Sequence, residues 1–336
     1  MKLNLRPPAM QLRAIGASGI NASVVGLGTW AIGGWMWGGT DEAESISAIR
    51  AAIDAGVTLI DTAPAYGMGR SEETVGAAIE GRRDEVVLAT KCGLVWHTQR
   101  GNHFFDQARK PVHRYLGPES IAHELNESLR RLRTDHVDLY ITHWQDPTTP
   151  IAETMGALED LKKAGKIRAI GASNVTAADV AAYIAAGKLD AIQEQYSLVH
   201  RDIDAELVPL CARHGIAILS YSSLALGLLT GKIGRDRRFE GDDLRINDPR
   251  FSVENRRKVA DFATDIRSVA EAHAASIAEI VIAWTIRQPG ITFALCGARN
   301  PNQAKENAGA GAIRLDEVEL ARITAAAARH LAGVHV

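Results

Sequence analysis

Short apolar segments alternate with amphipathic segments along most of this 336-residue chain, and this alternation constrains the fold more than any other feature. Eight of the apolar segments are nearly continuous, as strands buried on both faces are. They span 24–27, 57–60, 86–89, 137–141, 167–170, 189–192, 216–219 and 291–295. Because parallel strands need crossover helices, eight such repeats predict a closed (β/α)8 TIM barrel, for which about 250 residues suffice.

Amphipathic helix patterns fill the intervals between these segments. The first, 41–55, has Thr40 as its predicted N-cap and ends at Gly56. Further helices are predicted at 71–80, 121–133, 151–164, 176–186, 203–214, 254–274, 276–287 and 301–309. The order of strands and helices is that of repeated βα units with right-handed crossovers.

Four segments lie outside the repeats. Residues 10–23 predict an N-terminal hairpin turning at 19–21, and 316–328 predict an additional C-terminal helix. Segments 95–117 and 227–253 are long insertions after the third and seventh strands. No Ser/Gly-rich or Pro-rich linker divides the chain, so we expect residues 1–336 to form a single domain.

A doubly wound open sheet is the alternative fold, and it requires a phosphate-binding fingerprint early in the chain. Gly26-x-Gly28-x-x-Ala31 imitates that fingerprint. However, a segment rich in glycine and tryptophan follows at 33–39, where a dinucleotide-binding helix would have to begin. We therefore interpret the match as coincidental and favour the barrel.

The charge and cysteine content exclude several classes of protein. Thirty-eight Lys+Arg residues against 40 Asp+Glu give a net charge of -2, so we expect neither nucleic acid nor an anionic membrane as a partner. Cys92, Cys211 and Cys296 are too few and too widely spaced for a disulfide framework. The spacing of His97, His103 and His113 fits no ligand pattern, so we expect no metal site.

The apolar stretches of the chain indicate the cellular compartment in which we expect the protein. The first eight residues contain no apolar core of a signal peptide, and the stretch 277–286 is too short to span a bilayer. We therefore expect a soluble protein of the reducing cytoplasm.

Polar side chains follow the ends of the second, third and fourth predicted strands, where a barrel of this kind forms its active site. They are Asp61, Tyr66, Lys91 and His143. A phenol titrates near pH ~10, and a lysine cation beside it is expected to lower that pKa. Asp61 can pair with Lys91, while His143 can hydrogen-bond a substrate oxygen. The four residues together indicate a proton donor beside a carbonyl oxygen.

Five motifs in register resemble the aldo-keto reductase family, in particular its bacterial and potassium-channel-β-like branch, from about residue 15 to 312. The motifs are Asp61-Thr62-Ala63-x-x-Tyr66-Gly67, Thr90-Lys91, Val137-Asp138-Leu139-Tyr140-x-x-His143-Trp144, Gly171-Ala172-Ser173-Asn174 and Gly297-Ala298-Arg299-Asn300-Pro301-x-Gln303-x-x-Glu306-Asn307. The resemblance implies reversible hydride transfer between a nicotinamide and a small aldehyde or ketone. It assigns Tyr66 as the general acid, with Lys91 and Asp61 tuning it and His143 orienting the carbonyl.

The resemblance also implies a cofactor site. Its residues are Thr29, Trp30, Asp61, Ser173, Asn174, Gln193, Tyr221, Ser222, Leu224, Gly227, Lys232, Arg238, Gly297, Arg299, Gln303, Glu306 and Asn307. Arg238 is chosen from three candidates, the others being Arg235 and Arg237. Because no carboxylate lies between Gly297 and Gln303, Arg299 indicates a ribose 2′-phosphate and therefore NADPH, with NADH less favoured.

Five of the six tryptophans follow predicted strand ends, which suggests an aromatic substrate pocket partly covered by 95–117. The pocket residues predicted are Trp30, Trp35, Trp37, Tyr66, Trp96, His143 and Trp144. Such walls accept a ring or an apolar ketone by burial and stacking. The alternative interpretation is that these tryptophans pack long loops against the barrel, and the two are not exclusive.

Two other functions compete with the predicted reductase. A barrel that holds NADPH to sense redox state, with slow turnover, would carry the same four residues. A glycosidase would need two carboxylates at strand ends, and only Glu194 and Asp146 remain once Asp61 is paired. We therefore predict an enzyme that uses NADPH to reduce an aldehyde or ketone to an alcohol, with the proton coming from Tyr66.

Overall fold

The computed structural model describes residues 9–234 and 237–334. Its strands are numbered in chain order. They are β1 Leu12–Ala14, β2 Asn21–Ser23, β3 Val25–Gly28, β4 Leu59–Asp61, β5 Val87–Cys92, β6 Leu94–Val95, β7 Asn102–Gln107, β8 Lys110–Arg114, β9 Val137–Thr142, β10 Ile167–Ser173, β11 Ala191–Gln195, β12 Ala217–Tyr221 and β13 Phe293–Gly297. A closed parallel barrel forms from β3, β4, β5, β9, β10, β11, β12 and β13, in that order. This confirms the predicted (β/α)8 TIM barrel.

Helices surround the barrel. They are α1 Glu42–Asp54, α2 Arg70–Ile79, α3 Pro118–Leu132, α4 Ile151–Lys163, α5 Ala177–Ala186, α6 Leu207–His214, α7 Val253–Asp265, α8 Arg267–Ala272, α9 Ile277–Ile286, α10 Pro301–Gly309 and α11 Glu317–His330. Short 3-10 helices lie at Ala31–Gly33, Arg83–Glu85, Asp202–Asp204, Ala225–Thr230, Leu244–Ile246, Pro249–Phe251 and Ala310–Ala312.

Three local predictions need correction. The N-cap of α1 is Asp41, whose Oδ1 accepts the N–H of Glu44 at 2.7 Å, whereas the Thr40 hydroxyl bonds the side chain of Ser45. The predicted helix 254–274 is two helices, because the chain leaves helical geometry at the fully buried Ile266. The hairpin turns through 15–20, and Asn21 already belongs to β2.

The insertion after the third barrel strand is itself ordered. Strands β6, β8 and β7 form a three-stranded antiparallel sheet at the mouth of the barrel. Its apolar side packs Leu94 and Val112 against Ala65, with Trp96, Phe105 and Trp144 at the margin. Segment 95–117 is therefore held by a small core of its own.

The barrel interior is apolar and closed at its base. Leu59, Ala89, Ile141 and Leu219 are among the interior side chains, and Ile15 and Ile20 of the hairpin join the same cluster. Each buried leucine or isoleucine stabilises the fold by roughly 1.5–3 kcal/mol. Because side chains alternate along a strand, the residue two positions further toward the carboxyl end also points into the barrel, one layer nearer its mouth. The apolar side chains thus fill the base of the barrel, and the layer above them can hold polar side chains.

No helix in the described part of the chain is both long enough and apolar enough to cross a membrane. The residues from which the absence of a signal peptide was predicted, 1–8, lie outside the described ranges.

Candidate active site

The upper layer of the barrel interior consists of polar side chains, each two residues beyond an apolar interior position. Leu59, Ala89, Ile141, Ala191 and Leu219 belong to the interior core. The corresponding polar residues are Asp61, Lys91, His143, Gln193 and Tyr221. The period of two that buries the strands therefore also directs these groups to one place, at the carboxyl end of the barrel.

Lys91 is completely buried and holds the layer together. Its Nζ donates to Oδ2 of Asp61 at 2.8 Å, to the carbonyl of Thr62 at 2.9 Å and to the hydroxyl of Tyr66 at 3.2 Å. The other carboxylate oxygen of Asp61 accepts the amide of Gln193 at 2.9 Å. All three ammonium protons are thus used, which is the arrangement that a buried charge requires.

Tyr66 reaches Lys91 from the loop between β4 and α2, and two glycines set the position of that loop. A Cβ on Gly33 would lie 2.6 Å from the carbonyl carbon of Tyr66, and one on Gly67 would overlap the carbonyl oxygen of Gly33. Gly67 also has φ +70°, a conformation that favours glycine. This close backbone contact places the Tyr66 ring in a T-shaped arrangement with His143, with their centroids 5.7 Å apart.

Burial changes the acid–base properties expected of Tyr66. Burial raises its pKa, the Lys91 ammonium lowers it by less, and the net pKa is above 10. Lys91 thus lowers the pKa of Tyr66, as predicted, but desolvation of the phenolate, which was not predicted, outweighs the nearby cation in the protein alone. Tyr66 thus carries its proton at neutral pH, as a general acid must.

The neighbouring groups have fixed charge states as well. Burial would lower the pKa of Lys91, but Asp61 and the Tyr66 hydroxyl raise it to a net value above normal. Burial lowers the pKa of His143 well below 6.5, and Lys91 lowers it further. His143 is therefore neutral at pH 7 and can donate an N–H to an oxygen near Tyr66.

A second polar group lies beside the first, on β10 to β12. The Asn174 amide donates to the carbonyl of His143 at 2.8 Å, and its oxygen accepts the Tyr221 hydroxyl at 2.8 Å. The Ser173 hydroxyl donates to the carbonyl of Gln193 at 2.7 Å. These bonds connect Ser173, Asn174, Gln193 and Tyr221 into one surface next to Tyr66.

A cavity of about 860 Å³ opens above both groups. It is lined by every predicted cofactor residue except Arg238, and by every predicted pocket residue except Trp96. Arg238 is exposed, and Arg237, one residue earlier, lines the cavity in its place. Arg235 lies outside the described residues. Lys91 lies beneath the cavity floor, and Trp96 packs at the edge of the Leu94–Val112 cluster.

Aromatic rings form one end of the cavity. Trp30 stacks over Tyr66 with centroids 6.3 Å apart, and Trp37 meets Trp30 edge-on at 5.5 Å. From the small sheet, Phe105 stacks on Trp35 at 5.3 Å and Phe104 tilts against Trp144 at 5.2 Å. Four of the five predicted tryptophans, all except Trp96, thus both pack the loops and line the cavity.

The other end of the cavity reaches the N-terminus of α10. Asn300 caps that helix by accepting the N–H of Gln303 at 2.9 Å. Arg299 donates to the carbonyls of Trp37 at 3.1 Å and Gly39 at 2.6 Å. Lys232 pairs with Glu306 at 2.7 Å across the same end. Arg299, which is predicted to bind the adenosine end of the cofactor, is therefore hydrogen-bonded to the loop that carries Trp37.

Two cavity arginines were missed by the sequence analysis. Arg245 and Arg250 each pair with the aspartate two residues earlier, Asp243 and Asp248, whose side chains also cap the following turn. Arg245 lies over the Trp37 ring at 5.0 Å. The repeated Asp-x-Arg within 227–253 is the signal that could have revealed them.

Neither carboxylate of the glycosidase alternative lines the cavity. Asp146 accepts the N–H of Leu116 and two threonine hydroxyls, while Glu194 accepts the N–H of Val175. Within the described ranges, no three His, Cys, Asp or Glu side chains are arranged to hold a metal ion. The groups placed for proton transfer in the cavity are therefore Tyr66 and the residues around it, Asp61, Lys91 and His143.

The donors lining the cavity fit a nicotinamide dinucleotide. In the described part of the chain the lining contains Lys232, Arg237, Arg245, Arg250 and Arg299, against the carboxylates Asp61 and Glu306. Lys232, Arg245 and Arg250 are each paired with a carboxylate, and Arg237 and Arg299 add positive charge, so the lining and the N-terminus of α10 together suit an anionic pyrophosphate or phosphate. The volume is within the range of cofactor pockets.

The barrel and this site define a class of protein: an oxidoreductase that pairs a dinucleotide groove with a buried tyrosine–lysine–aspartate group. A sequence model of the Aldo/keto reductase family matches residues 24–328. The chain belongs to the aldo/keto reductase family, and the predicted class of NAD(P)H-dependent oxidoreductase is confirmed.

Individual relatives agree with this assignment. The chain is 45% identical over 297 residues to "Aldo-keto reductase YhdN" of Bacillus subtilis, covering 88% of this chain and 86% of the relative. It is 42% identical over 311 residues to "NADH-specific methylglyoxal reductase" of Escherichia coli, covering 91% and 94%.

Solved structures agree as well. The structure of glycerol dehydrogenase AKR11B4 from Gluconobacter oxydans superposes with a TM-score of 0.84 at 37% identity, over 97% of each chain. An aldo/keto reductase from Klebsiella pneumoniae, solved in complex with NADP and acetate, superposes with a TM-score of 0.70 at 30% identity, over 95% of this chain and 94% of that one.

Proposed function

We propose that this protein uses NADPH to reduce an aldehyde or ketone to an alcohol, with Tyr66 as the proton donor. The cofactor supplies the hydride when bound. The observation that carries the proposal is the 3.2 Å contact between Nζ of Lys91 and the hydroxyl of Tyr66, a residue that lines the cavity.

The residues divide the work of protonation. Tyr66 donates its proton to the substrate oxygen as negative charge develops there, and Lys91 stabilises the phenolate that remains. Asp61 keeps the ammonium of Lys91 in place. Neutral His143 donates a hydrogen bond to the same oxygen, which orients the carbonyl toward the hydride.

The second polar group orients the cofactor in this proposal. Ser173, Asn174 and Gln193 hold the carboxamide, and Tyr221 stacks on the nicotinamide ring. Ser222, Leu224, Gly227 and Lys232 follow the pyrophosphate. Gln303, Glu306 and Asn307 bind the adenosine end, while Arg299 and the cavity-lining Arg237 are the candidates for the 2′-phosphate.

A substrate panel tests the function. Purified protein is supplied with NADPH and with simple aldehydes and ketones, methylglyoxal among them, and oxidation of the cofactor is followed over many turnovers. Steady turnover supports a reductase. A single slow turnover with the oxidised cofactor retained on the protein would contradict it and would favour a redox sensor.

Cofactor preference needs its own test, since one relative is named NADH-specific and another was solved with NADP. Replacing Arg299 removes one charge-assisted contact, so in Arg299→Ala we expect KM for NADPH to rise about tenfold more than KM for NADH. The control is Lys305→Ala, which removes an exposed cation on α10, the helix that follows Arg299; Lys305 does not line the cavity. Equal changes for both cofactors would contradict the assignment of Arg299.

A further inference from the structure

Glu194 is a buried carboxylate that the roles described above leave unused. It lies on β11 directly after Gln193, and its exposed fraction is 7%. Gln193 faces the barrel interior and donates to Asp61. Because side chains alternate along a strand, Glu194 faces the opposite side, away from the cavity.

The carboxylate of Glu194 holds the backbone at the end of β10. Its Oε1 accepts the N–H of Val175 at 2.9 Å and so fixes the peptide that joins Asn174 to Val175, whereas the N–H of Asn174 donates to the carbonyl of Gln193 at 3.3 Å. Asn174 has φ +56°, in the left-handed region that few residues other than glycine and asparagine adopt. An unpaired buried N–H is costly, so the bond from Val175 to Glu194 favours the observed conformation of the turn.

That turn fixes a side chain of the site. The same Asn174 whose backbone is held by Glu194 donates its amide to the carbonyl of His143 and accepts the hydroxyl of Tyr221. A rotation of the Asn174 backbone would break both bonds at once. The position of Glu194 is therefore transmitted to the cavity through one residue.

We propose that Glu194 is a positioning residue for nicotinamide binding, acting by holding Asn174 in its left-handed conformation. This inference rests on the proposed function, because it assumes that the surface of Asn174 and Tyr221 receives the nicotinamide. Glu194 itself does not touch the cavity.

The surroundings of Glu194 make its hold on the Asn174 turn depend on pH. Burial raises the pKa of Glu194 to about 7, while the N–H groups of Val175 and Asn174 lower it by less. Asp179 on α5 raises it further, and Cys211 on α6 and Tyr221 on β12 also face it. Above this pH the charged carboxylate accepts a strong hydrogen bond from Val175; below it the neutral carboxyl accepts a weaker one. Cofactor affinity should therefore fall as the pH falls through about 7.

The test compares the dissociation constant of NADPH for the parent, Glu194→Gln and Glu194→Ala at pH 6, 7 and 8. Binding is read from energy transfer between the cavity tryptophans and the cofactor, without turnover. The 2′-phosphate of NADPH titrates in the same way with the parent and with every variant, so its effect cancels in the variant-to-parent ratio of dissociation constants. At pH 8 we expect binding about tenfold weaker in Glu194→Ala, a smaller loss in Glu194→Gln, and a ratio for Glu194→Gln that approaches one at pH 6.

Two further variants complete the design. Glu206→Gln, at an exposed glutamate near the start of α6, should bind NADPH as the parent does. Glu194→Asp keeps the charge but shortens the reach, so its affinity should be reduced while the dependence on pH remains. If neither neutral variant folds, judged by near-ultraviolet circular dichroism, Glu194→Asp decides the outcome.

Failure of the inference differs from failure of the proposed function. A variant-to-parent ratio of one at every pH, or parent-like affinity in Glu194→Asp where that variant has to decide, would overturn the role of Glu194 while NADPH binding and turnover by the parent stand. A parent that binds neither NADPH nor NADH would overturn both.

Discussion

The Nζ atom of Lys91 lies 3.2 Å from the hydroxyl of Tyr66, although one residue is on β5 and the other is in the loop after β4. Lys91 is completely buried, and its charge is balanced by Asp61 at 2.8 Å. A cation in this position stabilises the phenolate that remains after proton donation. The predictions below follow from this arrangement and from the backbone that holds it.

Lys91→Met should lower both activity and stability. It removes the cation that stabilises the phenolate, so we expect kcat to fall by about 100-fold. It also leaves Asp61 buried without a countercharge, which should lower the free energy of unfolding in urea by roughly 3 kcal/mol. The double variant Asp61→Asn/Lys91→Met should recover most of the stability but not the activity. If the single variant is as stable as the parent, the buried ion pair is not structurally required.

Gly67→Ala should displace Tyr66. A Cβ at Gly67 would overlap the carbonyl oxygen of Gly33, and the backbone has φ +70°. Gly165, just beyond the end of α4, has φ +73° and open space around its Cβ position, so Gly165→Ala is a matched control for backbone strain alone. We expect Gly67→Ala to be destabilised by about 2 kcal/mol more than Gly165→Ala and to lose most activity. Equal effects of the two substitutions would argue against the packing of Gly33 on Gly67.

His143 should remain neutral across the physiological range. Because burial and Lys91 lower its pKa well below 6.5, the unfolded chain binds more protons than the folded protein in acid. The contribution of His143 to stability is therefore present above pH about 6.5 and decreases as the pH falls below it. Nitrogen-detected NMR of the imidazole should show one protonated and one bare ring nitrogen from pH 6 to 8. An imidazolium signal at pH 7 would contradict the assigned role.

Trp144→Ala should change substrate preference. Trp144 lines the cavity and contacts Phe104, so its loss removes aromatic surface from the substrate end. We expect KM for an aryl aldehyde to rise about tenfold, with a smaller change for methylglyoxal, which has no ring to stack. Trp96→Ala serves as the control because Trp96 does not line the cavity. Parallel changes for the two substrates would show that the aromatic end does not select for rings.

The barrel and the polar layer were predictable because both depend on local sequence: apolar strands alternate with helices along the chain, and polar residues follow the strand ends. Leu59 and Ala89 are buried, and Asp61 and Lys91 follow two residues later, so local sequence places the pair at the same end. For Tyr66, the lowering effect of Lys91 on the pKa was predicted, but the larger and opposing effect of burial was not. Its burial depends on loops from several parts of the chain, and no local pattern reports it.

Irregular segments were predicted least well. Between 227 and 253 no periodic pattern fixes which side chain faces inward, so Arg238 was chosen where Arg237 lines the cavity. Trp96 was placed in the pocket with its neighbours, but the small sheet turns it toward the Leu94–Val112 cluster. Segment 95–117 is ordered because its strands pair antiparallel, and the sequence did not reveal this pairing.

The most direct measurement of the central claim is carbonyl reduction by Tyr66→Phe. This variant keeps the ring beside Lys91 and His143 and removes only the hydroxyl that carries the proton. We expect kcat to fall by at least about 100-fold while the dissociation constant for NADPH stays at the parent value. A variant that reduces carbonyls as fast as the parent would show that the proton comes from another group.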